Sequence, residues 1–189
     1  KTSKVRRSIT VINQKLIDGW QLYEITPASQ KSSSPIYFLH ATGFSVQCYF
    51  DFLQEWADSS GRPIYSFDSR GFGQTTLGIP ASWYQDKGSV WQSLSTDFIN
   101  VLDLLKKNFW INENETPLLC GHSLGAVVTL SSAEKLNFKQ VLVLDPVALP
   151  FVQCVLWGFA TLVGLRHLHP LGRSVASRRV VFDSKQAAH

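Results

Sequence analysis

Residues 116–128, which read TPLLCGHSLGAVV, decide the fold of this chain. A short apolar run enters the pattern G-x-S-x-G at residues 121–125, and an Ala/Val-rich segment of helical character leaves it. This order predicts a strand, a sharp turn at Ser123 and a helix. We expect Gly121 and Gly125 to let strand and helix approach closely, and the turn to strain the backbone of Ser123. The hydroxyl would then stand at the carboxyl edge of a sheet, beside the first free N–H groups of the helix.

Two further motifs precede this one. HATGF at residues 40–44 follows an apolar run at 35–39, and DSRGFG at residues 68–73 follows another at 63–67. In this order the three motifs resemble those of α/β-hydrolase-fold proteins of the capped serine-hydrolase type, a family of esterases, lipases, thioesterases and C–C bond hydrolases. The resemblance spans nearly all of the 189 residues. It implies an α/β fold with a mostly parallel sheet, flanking helices and a helical cap.

The spacing of apolar residues predicts the same order of elements. Strands are expected at residues 8–17, 20–26, 35–39, 63–67 and 139–144, the last of them buried. Asp18-Gly19 between the first two predicts a hairpin, which would add an antiparallel edge. Apolar residues at helical spacing predict helices over residues 47–56 and 94–109. The alternation of strand and helix from residue 35 onwards favours a parallel sheet, with functional groups at its carboxyl edge.

The resemblance implies roles for individual residues. Ser123 would be the nucleophile, and the backbone N–H groups of Leu124 and Thr42 would form the oxyanion hole. Because alanine stands at position 41, where the family has glycine, either the Ala41 or the Thr42 amide could face the site. His40 would shape this loop rather than act as the base. For the second motif we expect Asp68 to anchor the turn through backbone N–H groups, with Arg70 as a partner.

The acid and the base of a catalytic triad are harder to place. In this fold the chain order is Ser, then Asp or Glu, then His. Asp145, directly after the strand at residues 139–144, is one candidate for the acid. None of the remaining histidines is placed as the base in this order: His122, His167, His169 and His189. We therefore expect both groups beyond the last residue, a chain that is the amino-terminal part of a longer hydrolase, and no activity from residues 1–189 alone.

Residues 147–165 are almost wholly apolar and just reach the ~18 residues of a candidate membrane span. Pro150 and Gln153 interrupt the run, and it follows a sheet strand directly. We favour a helical lid over a membrane span and do not expect membrane association. The domain organisation would then be a hydrolase core over residues 1–147 and the start of an incomplete cap over residues 148–189.

Composition narrows the class of protein. With 44% hydrophobic and 17% charged residues, the chain suits one globular domain with a sizeable core. The net charge is +4, but the basic residues gather at the two ends without interleaved aromatics, which argues against a nucleic-acid surface. Cys48, Cys120 and Cys154 stand in apolar surroundings and predict reduced, buried thiols in a cytoplasmic protein. No cluster of Cys and His suggests a metal.

These patterns together favour one function and leave two alternatives open. We expect a serine hydrolase that acts on a small apolar ester-like substrate without a cofactor or metal. A non-catalytic ligand-binding protein of the same fold is the first alternative, because a fold does not by itself determine function. A pseudoenzyme that lacks its triad partners is the second.

Overall fold

The computed structural model describes residues 10–84, 89–109 and 116–146. They form one six-stranded sheet with helices packed on both faces. The strands are β1 (Val11–Ile17), β2 (Trp20–Thr26), β3 (Ile36–Leu39), β4 (Ile64–Phe67), β5 (Leu118–His122) and β6 (Gln140–Leu144). The helices are α1 (Phe50–Ser60), α2 (Ser89–Phe109) and α3 (Leu124–Ala133), and short 3-10 turns cover Val46–Tyr49 and Ala81–Tyr84.

The sheet has the order β1-β2-β4-β3-β5-β6. Strands β4, β3, β5 and β6 run parallel to one another, whereas β2 pairs antiparallel with both β1 and β4. Asp18 and Gly19, with φ 49° and 82°, form the two-residue turn of the hairpin, in which Ile17 pairs with Trp20. The predicted parallel sheet with an antiparallel N-terminal hairpin is confirmed.

Successive side chains of the strands point to opposite faces of the sheet and pack into two separate hydrophobic cores. On one face, strand residues such as Ile36, Phe38 and Cys120 pack against Leu53 and Ala57 of α1. On the other face, the intervening strand residues pack against α2 and α3 through an apolar stripe whose buried members are Phe98, Val101, Leu102, Leu105, Phe109 and Val128. Helices on both faces leave the ends of the parallel strands as the open surface, so the site must lie there.

Strand β6 differs from the prediction of a buried strand. Its residues alternate between exposed and half-buried, and Leu142 is 38% exposed. In the described sheet β6 is the edge strand and pairs only with β5. The run of apolar residues therefore predicted the strand correctly but not the burial of its side chains, because burial depends on which element packs beside the strand.

The chain divides into two units, Lys1–Val147 and Ala148–His189, and all the described residues belong to the first. The predicted cap over residues 148–189 lies outside the described residues, as does the apolar stretch 147–165. Within the described ranges, no helix combines the length and the apolar character needed to cross a membrane.

Candidate active site

The turn after β5 isolates Ser123 between a strand and a helix. β5 ends at His122 and α3 begins at Leu124, so a single residue reverses the chain. Ser123 has φ 53° and ψ −111°, a conformation that an L-residue keeps only when its surroundings impose it. Its N–H donates to the Leu144 carbonyl of β6 at 2.9 Å, which holds the turn against the sheet. The predicted strain at Ser123 is confirmed.

The two glycines of the motif allow α3 to rest directly on the sheet. A Cβ on Gly121 would lie well inside 3.0 Å of the Gly125 carbonyl oxygen and of Thr129 Oγ1. A Cβ on Gly125 would lie equally close to the carbonyl oxygen of Leu39, at the end of β3. A side chain at Gly121 or Gly125 would push α3 away from the sheet. With glycine at both positions, the N-terminus of α3 lies directly beside the carboxyl ends of β3 and β5.

The loop after β3 lies beside the serine because β3 and β5 are neighbouring parallel strands, with Leu39 paired to Gly121. Thr42 is exposed in this loop, and Leu124 is half-buried at the first turn of α3. Among the described residues, the backbone N–H groups of Thr42 and Leu124 have no hydrogen-bond partner. Two unengaged donors thus stand on the segments that flank Ser123, as an oxyanion hole requires.

The Ala41 amide, the other candidate donor, is already engaged. Its N–H donates to the Tyr49 hydroxyl at 3.3 Å. Its carbonyl accepts from the Phe44 N–H at 3.3 Å and from the His40 ring at 2.8 Å. Both backbone groups of Ala41 are thus bound, so of the two candidate amides Thr42 is the one without a partner among the described residues.

The His40 side chain links the loop after β3 to the turn after β4. Its Nε2 accepts from the Ser69 N–H at 2.9 Å, so its Nδ1 carries the proton and donates to the Ala41 carbonyl. The ring is buried, and burial lowers the pKa of His40, although the Ala41 bond and the charge of Asp68 act in the opposite direction. These contacts agree with the loop-shaping role expected for His40.

This lowered pKa predicts a loss of stability in mild acid. Between the pKa of folded His40 and the ordinary value of 6.5, the unfolded chain binds more protons than the folded chain. Stability is therefore full above about pH 6.5 and falls as the pH drops below that value, by up to about 1.4 kcal/mol per pH unit from this group. Urea unfolding at a series of pH values measures the slope.

His40→Gln is the matched control for that titration, because an amide oxygen can accept from Ser69 but does not titrate. The variant is expected to lose the part of the slope below pH 6.5 that belongs to His40. An unchanged slope in the variant would contradict the assignment of His40 as a buried, neutral link.

Asp68 anchors the turn after β4 as predicted. Its buried carboxylate accepts from the Val46 N–H at 2.8 Å, the Gln74 N–H at 2.9 Å and the Tyr23 hydroxyl at 2.7 Å. Gly73 lies so close that a Cβ there would overlap the carboxylate. The turn and the loop before α1 are therefore tied to one charged group.

The predicted pairing of Asp68 with Arg70 is wrong. Arg70 instead forms a two-pronged ion pair with Asp97 of α2, with Nε to Oδ2 at 2.6 Å and Nη2 to Oδ1 at 3.0 Å. Its guanidinium also lies 4.8 Å from the centre of the Trp20 ring. Backbone and tyrosine donors already surround Asp68, and the arginine side chain is long enough to reach the helix beyond the turn.

The remaining triad candidates stand as follows. Leu144 pairs with His122, so Asp145 leaves β6 at the same edge at which Ser123 leaves β5. Asp145 is exposed and has φ 44°. The His122 Nδ1 lies 2.8 Å from the Tyr49 hydroxyl. The other candidate histidines, His167, His169 and His189, lie outside the described residues.

The cysteines fit the prediction of buried thiols only in part. Cys120 is a free, buried thiol of β5, and burial raises its pKa to about 12. Cys48 is free but exposed, because the 3-10 turn that carries it buries only Val46. Cys154 is outside the described residues. In the described part of the chain, no three His, Cys, Asp or Glu side chains come together as a group that could hold a metal ion.

Sequence reasoning missed Tyr49. The spacing of its neighbours assigned Tyr49 only to an apolar helical face, whereas its hydroxyl contacts both Ala41 and His122. The hydroxyl and His122 belong to residues 73 positions apart. No local pattern reports a contact at that separation, so only the assembled sheet could reveal it.

We compared the chain with models of protein families and with curated protein sequences. A family model described as "Alpha/beta hydrolase family" matches residues 36–187. No curated protein sequence matches the chain.

Three solved structures with a similar fold each cover more than two thirds of this chain. A predicted CIB-like hydrolase from Thermoplasma acidophilum is 17% identical, with TM-score 0.53 over 72% of this chain and 64% of that one. A carboxyl esterase from Bacillus coagulans is 13% identical, with TM-score 0.52 over 71% and 44%. Epoxide Hydrolase A from Mycobacterium thermoresistibile is 18% identical, with TM-score 0.54 over 82% and 45%. The chain thus spans less than two thirds of each structure, and these identities show the fold alone.

Proposed function

Because this chain belongs to the alpha/beta hydrolase family, we propose that the natural protein is a serine hydrolase that cleaves an ester-like acyl bond. Ser123 is the proposed nucleophile. The observation that carries this proposal is its strained turn between β5 and α3, with φ 53° and ψ −111°. Strain of this kind costs about 1–3 kcal/mol and persists where the surrounding structure imposes it, often at active sites.

The proposed reaction uses the unengaged donors around that turn. The Ser123 oxygen attacks the acyl carbon, the carbonyl π electrons move to its oxygen, and the serine proton passes to a base. The N–H groups of Leu124 and Thr42 hold the resulting oxyanion. As this intermediate collapses, the base returns the proton to the leaving oxygen, so an alcohol departs and an acyl-enzyme remains. Water, deprotonated by the same base, then attacks the acyl carbon, which releases the acid and restores the Ser123 hydroxyl.

Neither histidine of the described residues suits the role of base. His40 is bound at both ring nitrogens, and the His122 Nδ1 contacts Tyr49. We therefore propose that the base comes from outside the described residues. Asp145 is one candidate for the acid, because β6 delivers it to the edge where Ser123 lies.

The choice of serine favours an acyl substrate over an epoxide. Epoxide hydrolases and dehalogenases that share this fold use an aspartate at the strand-to-helix turn, here called the elbow (residues 121–125), whereas this chain has Ser123. An alkoxide that attacks a carbonyl gives an ester that water can cleave, but one that opens an epoxide would give a stable ether. The epoxide hydrolase among the similar structures therefore carries no substrate assignment here.

An exposed aromatic side chain supports an apolar substrate. Phe44, on the loop that carries Thr42, is 49% exposed and contacts the edge of the Tyr49 ring. Half of this ring is open to a molecule bound beside the loop. We propose that Phe44 contributes apolar surface to the binding of a small ester.

A serine-directed probe tests the proposal. We expect a fluorophosphonate to label the natural full-length protein once, on the peptide that contains Ser123, and the label to be absent from Ser123→Ala. Peptide mass mapping locates the adduct. Binding of a small apolar ester without labelling or turnover would instead favour the non-catalytic alternative.

We also propose a reducing, cytoplasmic environment for the protein. Cys48 and Cys120 are both free thiols, and one of them is exposed. Exposed free thiols persist where glutathione and thioredoxin keep them reduced.

A further inference from the structure

We propose that Tyr49 is a positioning residue that ties the loop after β3 (residues 40–44, the oxyanion loop) to the elbow at residues 121–125. One hydroxyl reaches both segments: it lies 3.3 Å from the Ala41 nitrogen and 2.8 Å from His122 Nδ1. Ala41 directly precedes Thr42, and His122 directly precedes Ser123. This inference rests on the proposed function, because it assigns Tyr49 the task of aligning the Thr42 amide with the reacting carbonyl at Ser123.

The hydrogen bonds run in one direction. The Ala41 N–H can only donate, so the Tyr49 oxygen accepts from it. Among the described residues His122 Nδ1 is the one acceptor within reach of the hydroxyl proton, so we assign that proton to the bond with Nδ1. His122 is thereby held as the tautomer whose proton sits on Nε2. Loop and elbow are thus joined by two bonds of defined polarity through one oxygen atom.

The ring of Tyr49 is itself held in place. It packs 4.9 Å from the Phe38 ring, which is buried in the core, and edge to face against Phe44 and His122 at 6.1 and 5.9 Å. Burial raises the pKa of Tyr49, so its hydroxyl keeps its proton at neutral pH. A ring that the core holds in place, with a protonated hydroxyl, can fix the position of the exposed loop relative to the core.

This link restrains a loop that is exposed on its outer side. The loop from Thr42 to Phe44 is exposed, and Gly43 has φ 83°, where an added Cβ would meet no atom within 4 Å. Packing therefore does little to hold the loop on its outer side. The bonds on Ala41 restrain the loop from the inner side, where oxyanion donors must be placed to within about 0.5 Å.

Tyr49→Phe tests the proposal in the natural full-length protein, because it removes the hydroxyl and keeps the ring. We expect kcat for an aryl ester to fall about tenfold with KM unchanged, less than the 10²–10³ lost when an oxyanion donor is removed entirely. Tyr65→Phe is the control, since that hydroxyl bonds Glu24 at 3.2 Å and touches neither loop nor elbow. An unchanged kcat, or an equal loss in both variants, would overturn the positioning role.

Variants at the other end of the link sharpen the test. His122→Asn places an amide near the Nδ1 position and keeps an acceptor for Tyr49, whereas His122→Leu removes it. We expect the asparagine variant to keep most of kcat and the leucine variant to match Tyr49→Phe. The double variant Tyr49→Phe/His122→Leu should lose no more than either single one. Additive losses would mean that the two residues act separately.

A structural readout separates this proposal from the proposed function. In Tyr49→Phe, the ¹⁵N signals of the neutral His122 ring should move toward a mixture of tautomers, and the Ala41 amide should exchange faster with solvent. Neither should change in Tyr65→Phe. If no ester is turned over even by the wild type, the proposed function fails, while these signals still decide whether Tyr49 holds the loop. Unchanged signals would overturn the link itself.

Discussion

Ser123→Ala is expected to lower kcat for ester hydrolysis by the natural full-length protein by about six orders of magnitude, the loss typical of removing a serine nucleophile. The variant lacks the oxygen that attacks the acyl carbon, so no acyl-enzyme can form. The Leu124 and Thr42 amides would remain, and they should leave a residual acceleration over water of about 10³–10⁴. Initial rates with an aryl acetate, measured at high enzyme concentration, can follow both activities.

Ser131→Ala is the matched control for that loss. Ser131 lies in α3, eight residues after Ser123, and its exposed hydroxyl donates to the Val127 carbonyl at 2.9 Å. We expect wild-type rates and stability from this variant. If Ser123→Ala retained more than a few per cent of the activity, another group would have to be the nucleophile, and the assignment of the turn after β5 would be wrong.

The second large effect concerns stability. Gly125→Ala is expected to lower the free energy of unfolding by about 3 kcal/mol, at the upper end of the cost of overpacking. Gly125 lies in the first turn of α3, where helix propensity alone would make alanine better by up to about 1 kcal/mol. The added methyl group, however, would overlap the Leu39 carbonyl, and that backbone cannot move without breaking the pairing of β3 with β5. The sign of the change therefore distinguishes helix propensity from close packing.

Gly78→Ala is the control for this prediction. A Cβ at Gly78 would meet no atom within 4 Å, and its φ lies outside the left-handed range. We expect its stability to stay within about 0.5 kcal/mol of the wild type. Urea unfolding of both variants measures the difference. A Gly125→Ala protein as stable as the wild type would show that α3 does not rest on the end of β3.

Much of the fold could be predicted because its signals are local. The hairpin follows from Asp18-Gly19, since a two-residue turn needs positive φ at both positions and this pair accepts it. The strained turn at Ser123 follows from small residues on either side of it, between an apolar run and a helical segment. The long helix follows from apolar residues at three- and four-residue spacing, which lie on one face and enter the core.

The predictions that proved wrong concern ion pairing and burial, which depend on contacts between elements. Arg70 binds Asp97, 27 residues away, rather than its neighbour Asp68. Cys48 is exposed although its neighbours are apolar, and β6 is half exposed although its composition is that of a buried strand. The type of a residue limits the environments in which it can lie. Its actual burial and its bonding partner depend on which elements the fold brings next to it.

The candidate site divides in the same way. The sequence by itself determined the position of Ser123, its place after a strand and before a helix, and the loop that would share in the oxyanion hole, because each is encoded by residues that adjoin one another. Only the tertiary structure decided that Ala41 is engaged, that the Thr42 amide has no partner within the described ranges, and that one Tyr49 hydroxyl spans loop and elbow. Those bonds join residues up to 73 positions apart. They exist only once the parallel pairing of β3 with β5 has set the two segments side by side.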